Sequence, residues 1–475
     1  MRKKITEINK FPIFVTLLSI IVLAIFLLSY YPGIVSYDGN NQWQQVQSGI
    51  ITNSHPFFST FFMLLLSKIW NSVTIVSIYQ IIMFSISWGY LINILRVNGK
   101  KKKVITIIYT ILVMILPLTS IFTITLWKDI LYTTYLFLCA LILYEWSDNG
   151  FKLNNFKYCL LGIALSMVYS YRHNGIIVAI LLILIFYIIC IKKYRKKIIS
   201  KNVFKKSFIV LLSFISLIMI ISVPKKIYLD KSEEILKKEN HIDYSTIDGY
   251  MLWMMGSHIK EGNVKSKKDQ EFLNKIIPLQ EWKKAYNPYL INYTSNSEYT
   301  DKEFLIKNNK KFEKMFIKYS LKNPGTIIEH YIKADALLFD PLASYHGYVY
   351  VFCFPEMWSL PDYTVIKPKF TSINKLYGKV VDISLKEPFI FFYEPAIILY
   401  LSLILTFFLS KKVYGKKIWL FTLPMILNVV SLLPINLAQD LRYIYVNYIT
   451  FYGLVLFLIL NIKNVFNRKS KLRVD

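Results

Sequence analysis

Acid is what this sequence most lacks. Its 475 residues hold 29 Asp and Glu against 57 Lys and Arg, and between Glu7 and Asp129 the only acidic residue is Asp38. Such an excess of base points to nucleic acid or to a membrane, and the placement of the lysines decides. They sit at the ends of long uncharged apolar blocks, where the cytoplasmic loops of membrane proteins collect them. Nucleic acid is therefore excluded as a partner. Cysteine is scarce as well, at four residues. Cys139, Cys159 and Cys190 lie inside apolar blocks and Cys353 stands alone, so no pair has the spacing of a metal site or a disulfide framework. A phosphate-cradling glycine loop, a Gly-x-Ser-x-Gly elbow and a His-Glu-x-x-His helix are all missing. No internal repeat supports an inverted-repeat transporter.

Apolar residues make up 55% of the chain. They fall into ten blocks, each near the roughly 20 residues that cross a hydrocarbon core: 12–30, 73–95, 104–122, 130–146, 157–171, 175–192, 207–224, 389–410, 418–436 and 443–462. The first follows Met1-Arg2-Lys3-Lys4 but ends in Ser29-Tyr30-Tyr31-Pro32 rather than a small-residue cleavage site, so it reads as a retained span. With the N-terminus inside, the connections 96–103, 147–156, 192–206 and 411–417 and the tail 463–475 face the cytoplasm. Most of these carry Lys/Arg clusters and the opposite connections carry few, as the positive-inside rule requires. All of the cytoplasmic connections are short, which argues against a nucleotide-sugar site there. Heavy use of Ile, Lys and Asn fits a bacterial chain, so the expected location is a bacterial cytoplasmic membrane with both termini in the cytoplasm.

The block 57–69 is too short to span. Counting it would push Lys100–Lys103 to the wrong side, so it reads as a re-entrant or interfacial helix. Just before it, Trp43, Val46 and Ile50 recur at helical spacing among glutamines, the pattern of a short helix in the headgroup plane. Between Pro224 and Pro388 hydropathy falls and aromatics stay dense, which marks a folded outer domain over 225–388. Within it a helix capped by Asp301 runs to Lys322, with Phe304, Phe312, Met315, Phe316 and Tyr319 as its apolar face. Asn323-Pro324-Gly325 stops it, and a second helix follows from Thr326 to about Leu338.

Ionisable groups near hydrocarbon are costly and ask for a function. Four clusters qualify, all on the outer face. The first is Asp38, where partial burial would raise basicity enough to take a hydroxyl proton; it also suits a turn, or a cap on the following helix. The second is Asn53-Ser54-His55-Pro56, whose His55 could bond a phosphate or sugar hydroxyl or simply sit at the interface. The third is Trp127-Lys128-Asp129. This pair either neutralises itself or offers a cation to phosphate and a carboxylate to an acceptor or to Mg²⁺ or Mn²⁺, a use left open because such ions usually want more than one carboxylate. The fourth joins Arg172-His173-Asn174-Gly175 to Asp440-Leu441-Arg442-Tyr443, where arginine forks suit bidentate phosphate binding or ordinary lipid headgroups. In the outer domain Tyr345-His346-Gly347-Tyr348 has the look of an aromatic sugar platform.

This layout resembles the GT-C glycosyltransferases: a first span, a large outer loop with membrane-parallel helices and an acid near its start (Asp38), a second acid between spans three and four (Asp129), and seven spans before a variable part. The run Tyr-x-Pro-Gly, Tyr-Asp, Gln-Trp and Asn-x-His-Pro from Tyr30 to Pro56 is similar to bacterial members of that superfamily without an assigned reaction. The likeness covers about residues 1–224. Asp38 lacks the adjacent acid of several subfamilies, and Asp129 is not in an Asp-x-Asp. The resemblance implies an all-α polytopic fold and inverting transfer of a sugar from a polyprenyl-linked donor to an extracytoplasmic glycan, lipid or protein. Asp38 and Asp129 would be catalytic. Trp43, His55, Lys128, Arg172, His173, Asn174, Asp440 and Arg442 would bind substrate. The rivals are a polysaccharide polymerase or ligase leaning on the arginines, a lipid-linked-glycan flippase or transporter, and a non-catalytic envelope protein.

Overall fold

The structure, a computed structural model, describes residues 10–238, 246–291, 294, 298–342 and 365–466. Helices make up nearly all of it. The chain begins with α1 (Phe11–Ser29), a two-residue strand β1 (Ile34–Val35), α2 (Tyr37–Ser48), α3 (Phe57–Ser67), α4 (Thr74–Ile94), α5 (Lys100–Ile115) and α6 (Pro117–Ile124). Then come β2 (Thr125–Leu126), α7 (Lys128–Asp148), α8 (Asn155–Tyr171), α9 (Gly175–Arg195) and α10 (Lys201–Lys238). Among the described residues seven apolar helical segments are long enough to cross a membrane, with 395–432 counted as one, or eight if α5 and α6, bent by 61°, form one span. A multi-pass membrane protein follows.

The central helix is α7, whose apolar window is 94% buried, whereas that of α10 is 11% buried and faces outward. α7 packs against α4, α8 and the C-terminal helices, so whatever stands at its N-terminus is held deep in the molecule.

The outer domain comprises α11 (Thr246–Lys260), α12 (Lys267–Ile276), α13 (Leu279–Ala285), α14 (Lys302–Lys307), α15 (Asn309–Lys322), α16 (Pro324–Ala334) and α17 (Ala336–Phe339). It has its own core of Leu252, Met255, Phe272, Trp282, Phe312 and Met315. Asp301 caps as expected, accepting from the Phe304 amide at 2.8 Å. The expected helix to Lys322 is broken at Asn308, however, and Pro324 opens the next helix at its first turn. Then come α18 (Thr371–Ser384), α19 (Pro395–Leu409), α20 (Ile418–Leu432) and α21 (Tyr445–Phe466). The segment 395–432 is a hairpin rather than one long helix. The Thr406 and Thr422 hydroxyls are 2.7 Å apart, whereas sixteen residues of straight helix would part them by about 24 Å.

Two further expectations need correction. The break at Pro224 does not end a helix: α10 runs through it, because Tyr228 and Leu229 beyond it pack on α3. The block expected over 418–436 stops at Leu432, two residues before Pro434, which cannot continue a helix. The short block is α3, with 11 residues, and Trp43 and Val46 lie on a helix as expected, although α2 takes in Asp38 and ends at Ser48, short of Ile50.

The basic connections meet at one end. There Asp148 pairs with Arg96 (3.5 Å) and with Lys417, and Glu145 pairs with Lys157. Lys193 lies 4.0 Å over the Phe151 ring. Lys103 stands over Phe11 near the start of the chain, and Asn461 near its end bonds Tyr414. Asp38, Lys128, Arg172 and Arg442 lie at the opposite end.

Candidate functional site

The site begins with a local accident of pairing. β1 and β2 run parallel, Ile34 beside Thr125 and Val35 beside Leu126. Each strand leads straight into a helix, α2 or α7, and the second residue of each helix is an aspartate, Asp38 or Asp129. The register thus brings two acids 91 positions apart in sequence to the same place. Non-helical backbone at membrane depth must have its polar groups satisfied by protein. Here Gln80 Nε2 donates to the carbonyls of Thr123 (3.0 Å) and Thr125 (2.8 Å), and Ser77 donates to Ile124 at 3.0 Å. Gly39 permits the close approach, since a Cβ there would meet the Leu126 carbonyl at 2.4 Å. The cap of α2 is Ser36, which accepts from the Gly39 amide at 3.0 Å, so Asp38 is not the capping residue and its carboxylate is left for other partners.

Those partners are cations. Arg442 Nη1 lies 2.8 Å and Lys128 Nζ 3.4 Å from Asp38 Oδ2. Arg172 Nη1 lies 2.8 Å from Asp129 Oδ1. Arg442 Nε is 2.7 Å from Asp440 Oδ2 and 3.9 Å from Asp129, so Asp440 is not its only partner. Three acids and three cations form one neutral cluster. The Tyr443 ring lies between the guanidinium groups, 4.5 Å from Arg172 and 5.3 Å from Arg442. Tyr132 flanks the first arginine and Trp127 the second. Stacked in this way, the forks keep their in-plane N–H groups for an anion.

A cavity of about 980 Å³ opens onto the cluster. Asp38, His55, Lys128, Arg172, His173, Asn174, Asp440 and Arg442 all line it. Its other wall is more apolar, from Tyr250 and Leu290 of the outer domain with Leu432, Ile435 and Leu437. The N-terminal ends of α2, α7 and α9 also meet there, each presenting a positive dipole end that favours an anion.

Burial alone would raise the Asp38 carboxyl, but Arg442, Lys128 and His55 beside it hold it well below the usual carboxylate range. Basicity raised by burial, the expectation for Asp38, is overturned by these neighbours. Burial, then the charge of Lys128, lowers His55 to about 3. Its neutral Nδ1 faces Lys128 Nζ at 3.4 Å.

The remaining candidates divide. Asp129 is completely buried and does not line the cavity; it lies behind Arg172 and Arg442. Asn174 spends its amide on Ser431 (3.0 Å) and Asn428 (3.3 Å), tying α9 to α20. His173 is exposed on the rim. Trp43 does not reach the cavity, because it packs with Val35, Val46 and Phe57 under α3. Tyr345 to Tyr348 lie outside the described residues.

Sequence reasoning missed Tyr443 as a wall shared by the arginines, and it missed Asn428. The latter accepts from Tyr132 OH at 2.7 Å and donates to the Tyr443 carbonyl at 3.0 Å, so one side chain holds both aromatic faces around Arg172. An amide inside an apolar span was the available signal. As for a divalent cation, among the described residues no three His, Cys, Asp or Glu side chains gather as a metal site would need. Asp38 and Asp129 are each already held by a guanidinium, a donor set that does not fit Mg²⁺ or Mn²⁺. No protein-family model, curated protein or solved structure matches the chain.

Proposed function

We propose that this chain is a GT-C-type membrane glycosyltransferase, moving a sugar from a polyprenyl-phosphate-linked donor to a glycan, lipid or protein acceptor outside the cytoplasm. Ten crossings, both termini in the cytoplasm and the cavity opening on the outer face make up the topology of this reading. It is supported by the basic connections collecting at the end opposite the cavity. The observation that carries the chemistry is a carboxylate, Asp38, held by Arg442 and Lys128 on the wall of a cavity whose other charged groups, Asp440 and Arg172 among them, are also paired.

In this reading the donor phosphate takes its place against Arg172, Arg442 and Lys128, competing with Asp38 for the latter two. As they turn to the phosphate, Asp38 loses what keeps it weakly basic, and its burial then raises it. The acceptor hydroxyl attacks the anomeric carbon from the side opposite the phosphate. The new C–O bond forms, the bond from that carbon to the phosphate oxygen breaks, and the polyprenyl phosphate leaves with the bonding electrons. Asp38 receives the hydroxyl proton. One displacement inverts the anomeric centre. No step passes through a metal ion.

A polymerase or ligase using the same carriers is the second reading, favoured by the two arginines framed by aromatic rings. Glycan analysis of a deletion strain rescued with wild type, Asp38→Asn or Arg172→Ala separates them. The transferase reading expects surface glycan to be lost with Asp38→Asn. Full rescue by Asp38→Asn together with failure of Arg172→Ala would move the assignment to the second reading. Unchanged glycans in the deletion strain itself would sink both.

A further inference from the structure

The helix α18 takes no part in the cavity, yet it is fixed firmly to the same end of the molecule. Lys367 and Lys369 donate their amides to the carbonyls of Tyr31 (2.6 Å) and Leu28 (2.8 Å), just past and near the end of α1. Tyr377 is buried with its ring 4.5 Å from Phe26, and its hydroxyl donates to the Ile115 carbonyl at 2.6 Å. It also meets the Ser120 hydroxyl at 2.5 Å. These contacts hold α18 across the ends of α1 and α5, level with the α5–α6 bend, where a membrane core meets its headgroups.

At 100° per residue the helix has three sectors. Tyr377 and Val381 face the protein and are buried. Ile373, Leu376, Val380 and Ile383 form a second stripe that is exposed, Leu376 to 67% and Ile383 to 56%. Lys375 and Lys379 form a third, also exposed and adjoining the apolar one. After the helix come Phe389, Phe391 and Phe392, all exposed just before α19 turns into its apolar run. Exposed leucine and isoleucine beside lysine, with aromatics at the start of a span, is the arrangement of a helix lying in the interface. Residues 365–388 carry five lysines and two acids, so the headgroup that complements them is anionic.

We propose that α18 is a lipid-binding platform that recognises anionic phospholipid headgroups in the leaflet on the cavity side. Leu376, Val380 and Ile383 sit among the acyl chains, while Lys375 and Lys379 bind the phosphates. Each lysine contributes roughly a fivefold preference for an anionic surface.

The test uses the full chain in nanodiscs of phosphatidylcholine alone or with about a third phosphatidylglycerol, a composition at which surface lysines respond. Hydrogen exchange of 371–384 is read alongside the phosphatidylglycerol retained on native mass spectrometry. Wild type should exchange several-fold more slowly over this helix with phosphatidylglycerol and should retain that lipid. Lys375→Gln with Lys379→Gln should lose both effects, and Lys375→Arg with Lys379→Arg should keep them. Equal exchange in the two lipids would overturn the proposal, as would the lipid effect surviving in the glutamine variant. Protection that is the same in both lipids and accompanies a stable dimer by light scattering would assign the face to a second copy of the chain instead.

Discussion

Replacing Asp38 by Asn should abolish transfer and at the same time tighten donor binding. The second half follows from the geometry. In the resting site the Asp38 carboxylate lies 2.8 Å from Arg442 and 3.4 Å from Lys128, and an incoming phosphate must take both cations from it. A charge-assisted hydrogen bond is worth about 1.5–3 kcal/mol. With the Asp38 side chain 27% exposed, water screens part of this, and about 1.4 kcal/mol is the gain expected on removing the competitor, or tenfold in affinity. The amide keeps the shape and can still accept from Lys128. Turnover should fall by about 10²–10⁴, the range for a lost general base. Titration calorimetry of the purified protein with a short-chain polyprenyl phosphate gives the first number, and single-turnover transfer from the matching lipid-linked sugar gives the second. Binding tenfold weaker than wild type would refute the reasoning, because the carboxylate would then be helping to hold the phosphate rather than competing with it.

Three further predictions concern Asn428, His55 and Asp335. Asn428→Ala frees the Tyr132 hydroxyl and the Tyr443 carbonyl that hold the faces around Arg172. It should cost about 1–3 kcal/mol of stability for the polar groups left unpaired and weaken polyprenyl-phosphate binding about tenfold, whereas Asn428→Asp should restore part of the binding; an unchanged calorimetric affinity in Asn428→Ala would remove its positioning role. His55 is depressed to about 3 by burial and Lys128, so the unfolded chain takes a proton that the folded one refuses. Stability therefore falls as pH drops from about 6.5 through 3, and the melting temperature of His55→Gln should gain on wild type across that window. Asp335 is raised to about 7 by burial. Its stabilising effect is complete below the usual carboxylate value and lost as pH rises through 7, so Asp335→Asn should melt higher than wild type at pH 8 but not at pH 4.

Spans and site could be read from sequence to different depths. The alternation of basic and neutral connections is a property of local composition, which is why the connections holding Arg96 and Lys417 read alike, and Asp148 pairs with both. Asp38, Lys128, Arg172 and Arg442 stood out because charge is rare beside hydrocarbon. What connects them is not local. A two-residue parallel ladder sets Asp38 beside Asp129, and strands that short leave no periodicity to detect. Burial alone makes Asp38 read as basic, because nothing local in the sequence marks Lys128 and Arg442 as its counter-ions. Trp43 failed for the opposite reason, since an aromatic on an amphipathic helix serves packing and ligand equally well until its partners are known. Helix α10 continued past Pro224 because α3 supplies packing that the proline itself cannot forecast.

The neutrality of the cluster has a further consequence for the order of events. Asp38, Asp129 and Asp440 balance Lys128, Arg172 and Arg442, with His55 uncharged. Unbalanced charge in so enclosed a place is costly. A bound donor phosphate leaves the site with excess negative charge, and the least costly relief is a proton on the carboxylate whose cations have turned away, which is Asp38. The acceptor hydroxyl is the source of that proton only once a donor is in place. Binding should therefore be ordered, donor before acceptor. An acceptor analogue should bind measurably only in the presence of polyprenyl phosphate, and in Asp38→Asn that dependence should disappear.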